Sequence, residues 1–125
     1  MFALHGVEIN DPVDVDFGTF CQIQEIGMLQ AYGLFCEEDL VGYLVVTLAP
    51  SPMRGGRLIA NEEGLYIAQE HRGGGAATSL LLAAENHLRD KGVNILYMAA
   101  PNSRVAKLYE RKGYKLHQTI YEKEL

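Results

Sequence analysis

The sequence predicts one α/β (α+β) domain, built on a mixed β-sheet with helices beside it. Short apolar segments of strand length occupy the middle of the chain, and two helical patterns separated by a buried-type strand follow them. The chain has 125 residues, of which 48% are apolar, and this suits one hydrophobic core but not two. We therefore expect residues 1–125 to form a single domain.

The first half predicts a helix followed by a strand hairpin. Apolar residues near helical spacing predict the helix over residues 13–29. Two apolar segments, residues 32–36 and 41–49, flank a polar turn at residues 37–39, and this arrangement is typical of an antiparallel hairpin.

A loop and a third strand come next. Residues 50–56 contain two prolines and two glycines, which predict a loop. Residues 58–67 predict a strand, and the polar stretch 61–64, which ends in a glycine, indicates a β-bulge within it.

The second half alternates helices and strands. Apolar residues at positions 77, 80, 81, 84 and 88 predict an amphipathic helix over residues 77–91, with Gly92 closing it. Residues 94–99 predict a buried strand that ends before Pro101. A helix over residues 104–112 and a final strand over residues 114–121 complete the chain.

Three consecutive glycines, Gly73, Gly74 and Gly75, lie between the third strand and the first amphipathic helix. A helix N-terminus carries unpaired backbone N–H groups and the positive end of the helix dipole, so it favours an anion. Residues without a Cβ let a phosphate approach the backbone closely. This turn therefore predicts a site for a phosphate-bearing ligand.

Two common nucleotide sites do not fit this turn. A dinucleotide site requires an acidic residue at the end of the next strand, and the strand over residues 94–99 ends in an alanine and is followed by another. A P-loop requires Gly-Lys-Ser or Gly-Lys-Thr, and neither tripeptide occurs in the sequence.

Two segments together identify a third kind of phosphate site. Residues 72–77, RGGGAA, match the pattern Q/R-x-x-G-x-G/A. Downstream, residues 102–114, NSRVAKLYERKGY, match N-x-x-A-x-x-L-Y-E-x-x-G-F/Y and include the helix predicted over residues 104–112. Both segments resemble the GNAT superfamily of acyl-CoA-dependent N-acetyltransferases, and together they cover about residues 57–125. The resemblance implies a mostly antiparallel sheet flanked by helices and splayed between the motif strand and the next strand. It also implies a shortened N-terminal part.

The resemblance implies a binding site for acetyl-CoA. The backbone of the motif strand would pair with the pantetheine arm, and the glycine turn would wrap the pyrophosphate with its N–H groups. Asn102 would hydrogen-bond the cofactor arm. The implied cofactor-binding residues are Leu65, Tyr66, Ile67, Arg72, Gly73, Gly74, Gly75, Ala76, Ala77, Thr78 and Asn102.

The resemblance also implies catalytic roles. Tyr109 would protonate the departing thiolate. The strand over residues 94–98 lacks the carboxylate that other members often carry there, so the candidates for the general base are Glu62 and Glu63. Neighbouring side chains on a strand point to opposite faces, so at most one of the two faces the site. His117 is a weaker alternative for the base, and we expect His71 to be exposed.

The expected function is acetyl transfer from acetyl-CoA to a primary amine in a ternary complex, without a metal. A non-catalytic acyl-CoA-binding or interaction module is the alternative. Residues 1–53 hold eight acidic residues and no Lys or Arg, whereas residues 54–125 hold eight acidic and eleven basic residues. This asymmetry favours a cationic acceptor, and a net charge of −5 without a basic stripe argues against nucleic acid.

Composition leads to further expectations. No apolar run approaches a membrane span and the N-terminus lacks a signal-peptide pattern, so we expect a cytoplasmic protein that does not enter a membrane. Cys21 and Cys36 lack a CxxC spacing and are expected to be reduced and buried. With a shortened N-terminal part, the acceptor groove would either be shallow or be completed by a second subunit, and we expect a homodimer.

Overall fold

The computed structural model describes residue 22, residues 25–73 and residues 75–125. These residues include four strands and two α-helices, joined in part by two short 3₁₀ turns, and Gln22 and Glu25 before the first strand are also helical. In chain order the elements are β1 (Leu29–Cys36), β2 (Asp39–Ser51), the turn Pro52–Arg54, β3 (Arg57–Ile67), the turn Gln69–His71, α1 (Ala76–Asp90), β4 (Ile95–Tyr97) and α2 (Ser103–Arg111).

The strands form one sheet in the order β1-β2-β3-β4. The first three strands are antiparallel neighbours, and β4 is parallel to β3. The parallel pairing joins only residues 59–61 of β3 to residues 95–97 of β4, although β3 continues to Ile67. The sheet is therefore mixed, mostly antiparallel and splayed between β3 and β4, which confirms the expected fold class.

Strand β2 lies at the centre of the core because both of its faces are covered. Leu44, Val46 and Leu48 belong to one buried cluster, whereas Tyr43 and Val45 belong to another. Alternate residues of a strand point to opposite faces, so a strand buried on both faces has a nearly continuous apolar sequence.

Both described helices pack on the same face of the sheet. Helix α1 contributes Leu80, Leu81, Ala84 and Leu88 to the cluster around Leu44, and α2 contributes a tyrosine. Full burial of a leucine stabilises the fold by about 1.5–3 kcal/mol, so this stripe fixes α1 against the sheet.

A β-bulge lies in β3 where the sequence predicts one. Val45 pairs with Gly64 and Val46 pairs with Glu62, so Glu63 is the extra residue. β3 thus has one residue more than β2 at this point. The side chains of Glu62 and Glu63 therefore do not follow the regular alternation of a strand.

The final strand predicted over residues 114–121 is wrong, because this segment forms neither helix nor strand. A strand needs a hydrogen-bonded partner, and the four-stranded sheet ends at β4. The buried strand over residues 94–99 is also shorter than predicted, since β4 spans only Ile95–Tyr97.

Smaller corrections concern the first half. Most of the helix predicted over residues 13–29 lies outside the described residues, but its predicted end is wrong because β1 already begins at Leu29. Strand β2 continues to Ser51, into the predicted loop. Cys36 is exposed rather than buried, and Cys21 lies outside the described residues.

Candidate active site

The glycine turn adopts a backbone conformation that only glycine reaches easily. Gly73 has a φ of 84° and Gly75 a φ of 85°, both left-handed, and Gly74 lies outside the described residues. Gly75 is the N-cap of α1 and offers no side chain to the first-turn N–H groups of the helix. Gly73 and Gly75 are exposed, and Ala76, Ala77 and Thr78 are half-buried. The first turn of α1 thus begins at the protein surface.

Arg72 braces the strand end that leads into this turn. Its Nε donates to the carbonyl oxygen of Ile67 at 2.8 Å, and its guanidinium carbon lies 5.9 Å from the centre of the Tyr66 ring. Leu65 and Tyr66 are half-buried and Ile67 is buried. This side chain therefore fixes the geometry between β3 and the turn.

A free strand edge connects the turn to the bulge. From Glu62 to Ile67, β3 pairs with β2 on one side, and no strand among the described residues pairs with its other side. The five steps from Glu62 to Ile67 span about 17 Å at the usual strand rise per residue. An extended ligand can therefore follow this edge from the glycine turn to the bulge.

Glu62 and Tyr109 meet at Ala99, the second residue after β4. The backbone N–H of Ala99 acts on the Glu62 carboxylate and lowers its pKa, and the Tyr109 hydroxyl donates to the carbonyl oxygen of Ala99 at 3.2 Å. Tyr109 is only 5% exposed and belongs to the core beneath the sheet. A carboxylate and a phenol therefore converge where β3 and β4 separate.

Burial raises the pKa of Glu62 to about 7, and the nearby charge of Glu63 adds to the rise while the Ala99 N–H opposes it. Its Oε1 is buried and accepts no hydrogen bond from any described residue. An unsatisfied buried oxygen holds a proton more strongly because its charged form is poorly solvated. Burial, with a contribution from the Glu62 charge, also raises the pKa of the Tyr109 hydroxyl.

Glu63 is placed differently. It is exposed, and Thr47 Oγ1 donates to its Oε1 at 2.8 Å. Glu62 lies directly opposite Val46, which faces the helices, whereas Thr47 is the next residue of β2 and faces the other side. The structure brings Glu62, but not Glu63, next to Tyr109.

The remaining candidates lie outside this junction. Asn102 is the N-cap of α2, and its Oδ1 accepts from the Val105 N–H at 3.0 Å. His71 is half-buried rather than exposed. His117 stacks on the Tyr97 ring at 5.2 Å and lies 3.3 Å from Arg54 Nη2, away from Tyr109.

Sequence reasoning missed Ala99. Its side chain has no polar group, and it contributes only its backbone N–H and carbonyl oxygen. Nothing in the identity of an alanine signals such a role, because the role depends on where the chain leaves β4.

Within residue 22, residues 25–73 and residues 75–125, no group of three or more His, Cys, Asp or Glu side chains is arranged to hold a metal ion. No helix there has the length and apolar character needed to cross a membrane.

The sequence matches the model of the acetyltransferase (GNAT) family over residues 10–114. Comparison with curated protein sequences gives no significant match.

Solved structures share the fold at low sequence identity. An acetyltransferase from Trypanosoma brucei has a TM-score of 0.73 and 19% identity, covering 92% of this chain and 82% of its own. A ribosomal-protein-alanine N-acetyltransferase from Brucella melitensis biovar Abortus 2308 has a TM-score of 0.69 and 22% identity, covering 83% and 76%. AAC(6′)-Iy in complex with the bisubstrate analogue CoA-S-monomethyl-acetylneamine has a TM-score of 0.71 and 15% identity, covering 87% and 78%.

Proposed function

Because this chain belongs to the GNAT acetyltransferase family, we propose that it transfers an acetyl group from acetyl-CoA directly to a primary amine in a ternary complex. The observation that carries the proposal is the junction at Ala99. The Glu62 carboxylate lies near the backbone N–H of this residue, and the Tyr109 hydroxyl donates to its carbonyl oxygen. A proton acceptor and a proton donor beside a free strand edge are the groups that direct acyl transfer requires.

Glu62 is the proposed general base. The amine nitrogen attacks the thioester carbonyl carbon, and the proton that it loses passes to the Glu62 carboxylate, directly or through one water. A base is most useful when its pKa lies near the working pH, and the pKa of Glu62 is raised to about 7. The Oε1 atom supports this role, because a buried oxygen without a hydrogen-bond donor among the described residues gives the carboxylate a high proton affinity.

Tyr109 is the proposed general acid. As the carbon–sulfur bond breaks, the departing thiolate takes the hydroxyl proton of Tyr109. Since burial raises the pKa of this phenol, its proton stays in place through the neutral and mildly alkaline range. The hydroxyl must turn from the Ala99 carbonyl to the sulfur, and its 3.2 Å bond is long for an O–H donor.

The glycine turn and the free edge of β3 are the proposed binding site for acetyl-CoA. Main-chain N–H groups of residues 72–77, with the Thr78 hydroxyl, would hold the pyrophosphate at the N-terminus of α1. The backbone of Leu65, Tyr66 and Ile67 would pair with the pantetheine arm, and Asn102 Nδ2 would donate to it. The capping bond of Asn102 uses Oδ1, so it leaves Nδ2 for that purpose.

Replacing Gly75 by alanine is expected to weaken CoA binding about tenfold or more and to lower stability by about 1–2 kcal/mol. A residue with a Cβ is strained at the left-handed φ of Gly75. The turn is therefore expected to change conformation, and its N–H groups would no longer point toward the pyrophosphate. Isothermal titration with CoA and thermal melts measure the two effects.

Gly92→Ala is the matched control for this change. Gly92 has a φ of 88° at the other end of the same helix, and an added Cβ meets no atom within 4 Å at either glycine. The control should lose similar stability and keep its CoA affinity. Unchanged CoA affinity in Gly75→Ala would argue against the pyrophosphate site.

The proposed acceptor is a small cationic amine or a lysine or N-terminal amine. The acidic first half of the chain supports a cationic acceptor, because unlike charges raise its local concentration. Thiol release from acetyl-CoA should be measured across neutral, monocationic and polycationic amines at two salt concentrations. We expect cationic amines to react faster and salt to reduce the difference; equal rates for neutral and cationic amines would remove the charge preference.

The second candidate function is an acyl-CoA-binding module without turnover. The absence of a carboxylate from strand β4, Ile95–Tyr97, favours this second function. CoA binding with no thiol release for any amine would support that function.

A further inference from the structure

A cluster of three side chains lies on the face of the sheet opposite α1, outside the proposed acetyl-CoA site. It consists of Arg54 from the turn before β3, Tyr97 at the end of β4 and His117 from the chain after α2. Leu96 packs with the buried cluster around Leu44, so the next residue, Tyr97, faces the opposite side of the sheet. Three separate parts of the chain thus meet at one aromatic ring.

The contacts within this cluster orient the Arg54 guanidinium. The His117 ring stacks on the Tyr97 ring with 5.2 Å between their centres, and the guanidinium carbon of Arg54 lies 6.0 Å from the centre of the Tyr97 ring. Arg54 Nη2 lies 3.3 Å from His117 Nε2. A guanidinium only donates hydrogen bonds, so His117 Nε2 is the acceptor. This contact uses one N–H group of Arg54 and leaves the others for a ligand.

The positive charge of Arg54 has no carboxylate partner in the part of the chain that the structure describes. Its contacts there are with the His117 ring nitrogen and the Tyr97 ring. Arg54 is half-buried, and a guanidinium that already lies against an aromatic ring loses less side-chain freedom when it binds a ligand. One guanidinium charge matches a carboxylate better than it matches a phosphate, which carries more negative charge.

The cluster lies where β3 and β4 separate. Tyr97 pairs with Asn61, and this is the last paired position of the two strands. The next residue of β3 is Glu62, and Ala99 lies about 7 Å beyond Tyr97 along an extended chain. An amine can therefore reach the junction at Ala99 through the gap between the strands while another group of the same molecule contacts the cluster.

We propose that Arg54 binds a carboxylate of the acceptor, and that the acceptor is an amino acid whose reacting amine lies several bonds from that carboxylate. This inference rests on the proposed acetyl transfer and names the class of acceptor. Arg54 binds the carboxylate through paired N–H bonds, and Tyr97 and His117 position the guanidinium. Such an acceptor still presents a cationic amine, which the acidic first half of the chain favours.

The test compares acceptors that differ only in the carboxylate. Thiol release from acetyl-CoA is measured for ω-amino acids of increasing chain length and for the corresponding ω-amino amides, which lack the negative charge. We expect a chain length at which KM for the amino acid is about tenfold or more below KM for its amide, because a charge-assisted bidentate contact is lost in the amide. Arg54→Gln should remove most of this difference by raising KM for the amino acid, with a smaller effect on kcat.

Arg89→Gln is the matched control for Arg54→Gln. It removes the same charge from an exposed side chain of α1, on the other face of the sheet, and should keep the preference for the amino acid. An equal loss of preference in Arg89→Gln would assign the effect to net charge and overturn the site.

His117→Phe tests the positioning role of His117. The new ring can still stack on Tyr97, but it does not accept the N–H of Arg54. This variant should raise KM for the amino acid, by less than Arg54→Gln does. A fall in kcat with unchanged KM would make His117 a general base and overturn the proposed role.

The results distinguish this inference from the proposed function. Thiol release with equal KM for amino acids and their amides would overturn the carboxylate site and leave acetyl transfer intact. Absence of thiol release for every amine would contradict the proposed function, and hexanoate, which has no amine, then tests the site by NMR. Hexanoate-induced shifts of the His117 ring signals that vanish in Arg54→Gln would support the site, whereas unchanged ring signals would overturn it.

Discussion

Replacing Glu62 by glutamine is expected to reduce kcat/KM for acetyl transfer by about 10²–10⁴-fold, the usual contribution of a general base. The amide keeps the size of the side chain but accepts no proton from the amine. Glu63→Gln is the matched control, because it makes the same change one residue away on an exposed side chain. The control should retain most of the activity; similar losses in both variants would assign the effect to net charge.

The pH profile gives a second test of Glu62. A base with a pKa of about 7 is active only when deprotonated, so kcat/KM should fall tenfold for each pH unit below about 7. This acidic limb should disappear in the residual activity of Glu62→Gln and persist in Glu63→Gln. A limb that stays in Glu62→Gln would assign it to another group.

Stability should depend on pH in the opposite sense to activity. Burial raises the folded-state pKa of Glu62 from 4.5 to about 7, so the folded protein binds more protons than the unfolded chain between these values. The stabilisation from protonated Glu62 is fully present below about pH 4.5 and is lost as pH rises through 7. The melting temperature of Glu62→Gln should therefore be higher than that of the wild type at pH 8 and equal to it at pH 4.

Replacing Tyr109 by phenylalanine is expected to lower kcat by about 10²-fold or more while CoA affinity stays within a factor of two. The thiolate then leaves without a proton donor, and nothing in the proposed CoA site changes. The fold should lose about 1 kcal/mol because the Ala99 carbonyl oxygen loses its partner. Single-turnover kinetics and CoA titration separate the two quantities.

Tyr114→Phe is the control for Tyr109→Phe. It removes a hydroxyl that donates to Glu85 at 2.6 Å, in the ring packed 5.5 Å from Tyr109. A similar stability loss with unchanged kcat is expected. The pair also distinguishes the two candidate functions, since a CoA-binding module has no turnover for Tyr109→Phe to reduce.

Local pattern was enough to predict several elements. The polar turn of the β1–β2 hairpin and the bulge within residues 61–64 depend on residues close together in sequence. The motif at residues 72–77 also depends on local chemistry, because strand, glycines and helix are consecutive. Such features need no knowledge of distant contacts.

The final strand could not be predicted in the same way. Residues 114–121 have the composition of a strand, yet they have no sheet neighbour among the described residues. A high β-propensity means that a residue fits a pleated, half-buried surface. Whether a neighbouring strand provides that surface depends on the tertiary structure.

By itself the sequence determined the family resemblance, the order of most elements and the candidate pair Glu62 and Glu63. Only the tertiary structure shows that one of these two carboxylates lies beside Tyr109 and that the other is exposed. The bulge turns one toward Tyr109 and the other toward Thr47, and the chain leaving β4 places Ala99 between Glu62 and Tyr109. The physical reason is that burial and long-range hydrogen bonds set the proton affinity of a carboxylate, and neither is encoded in its nearest neighbours.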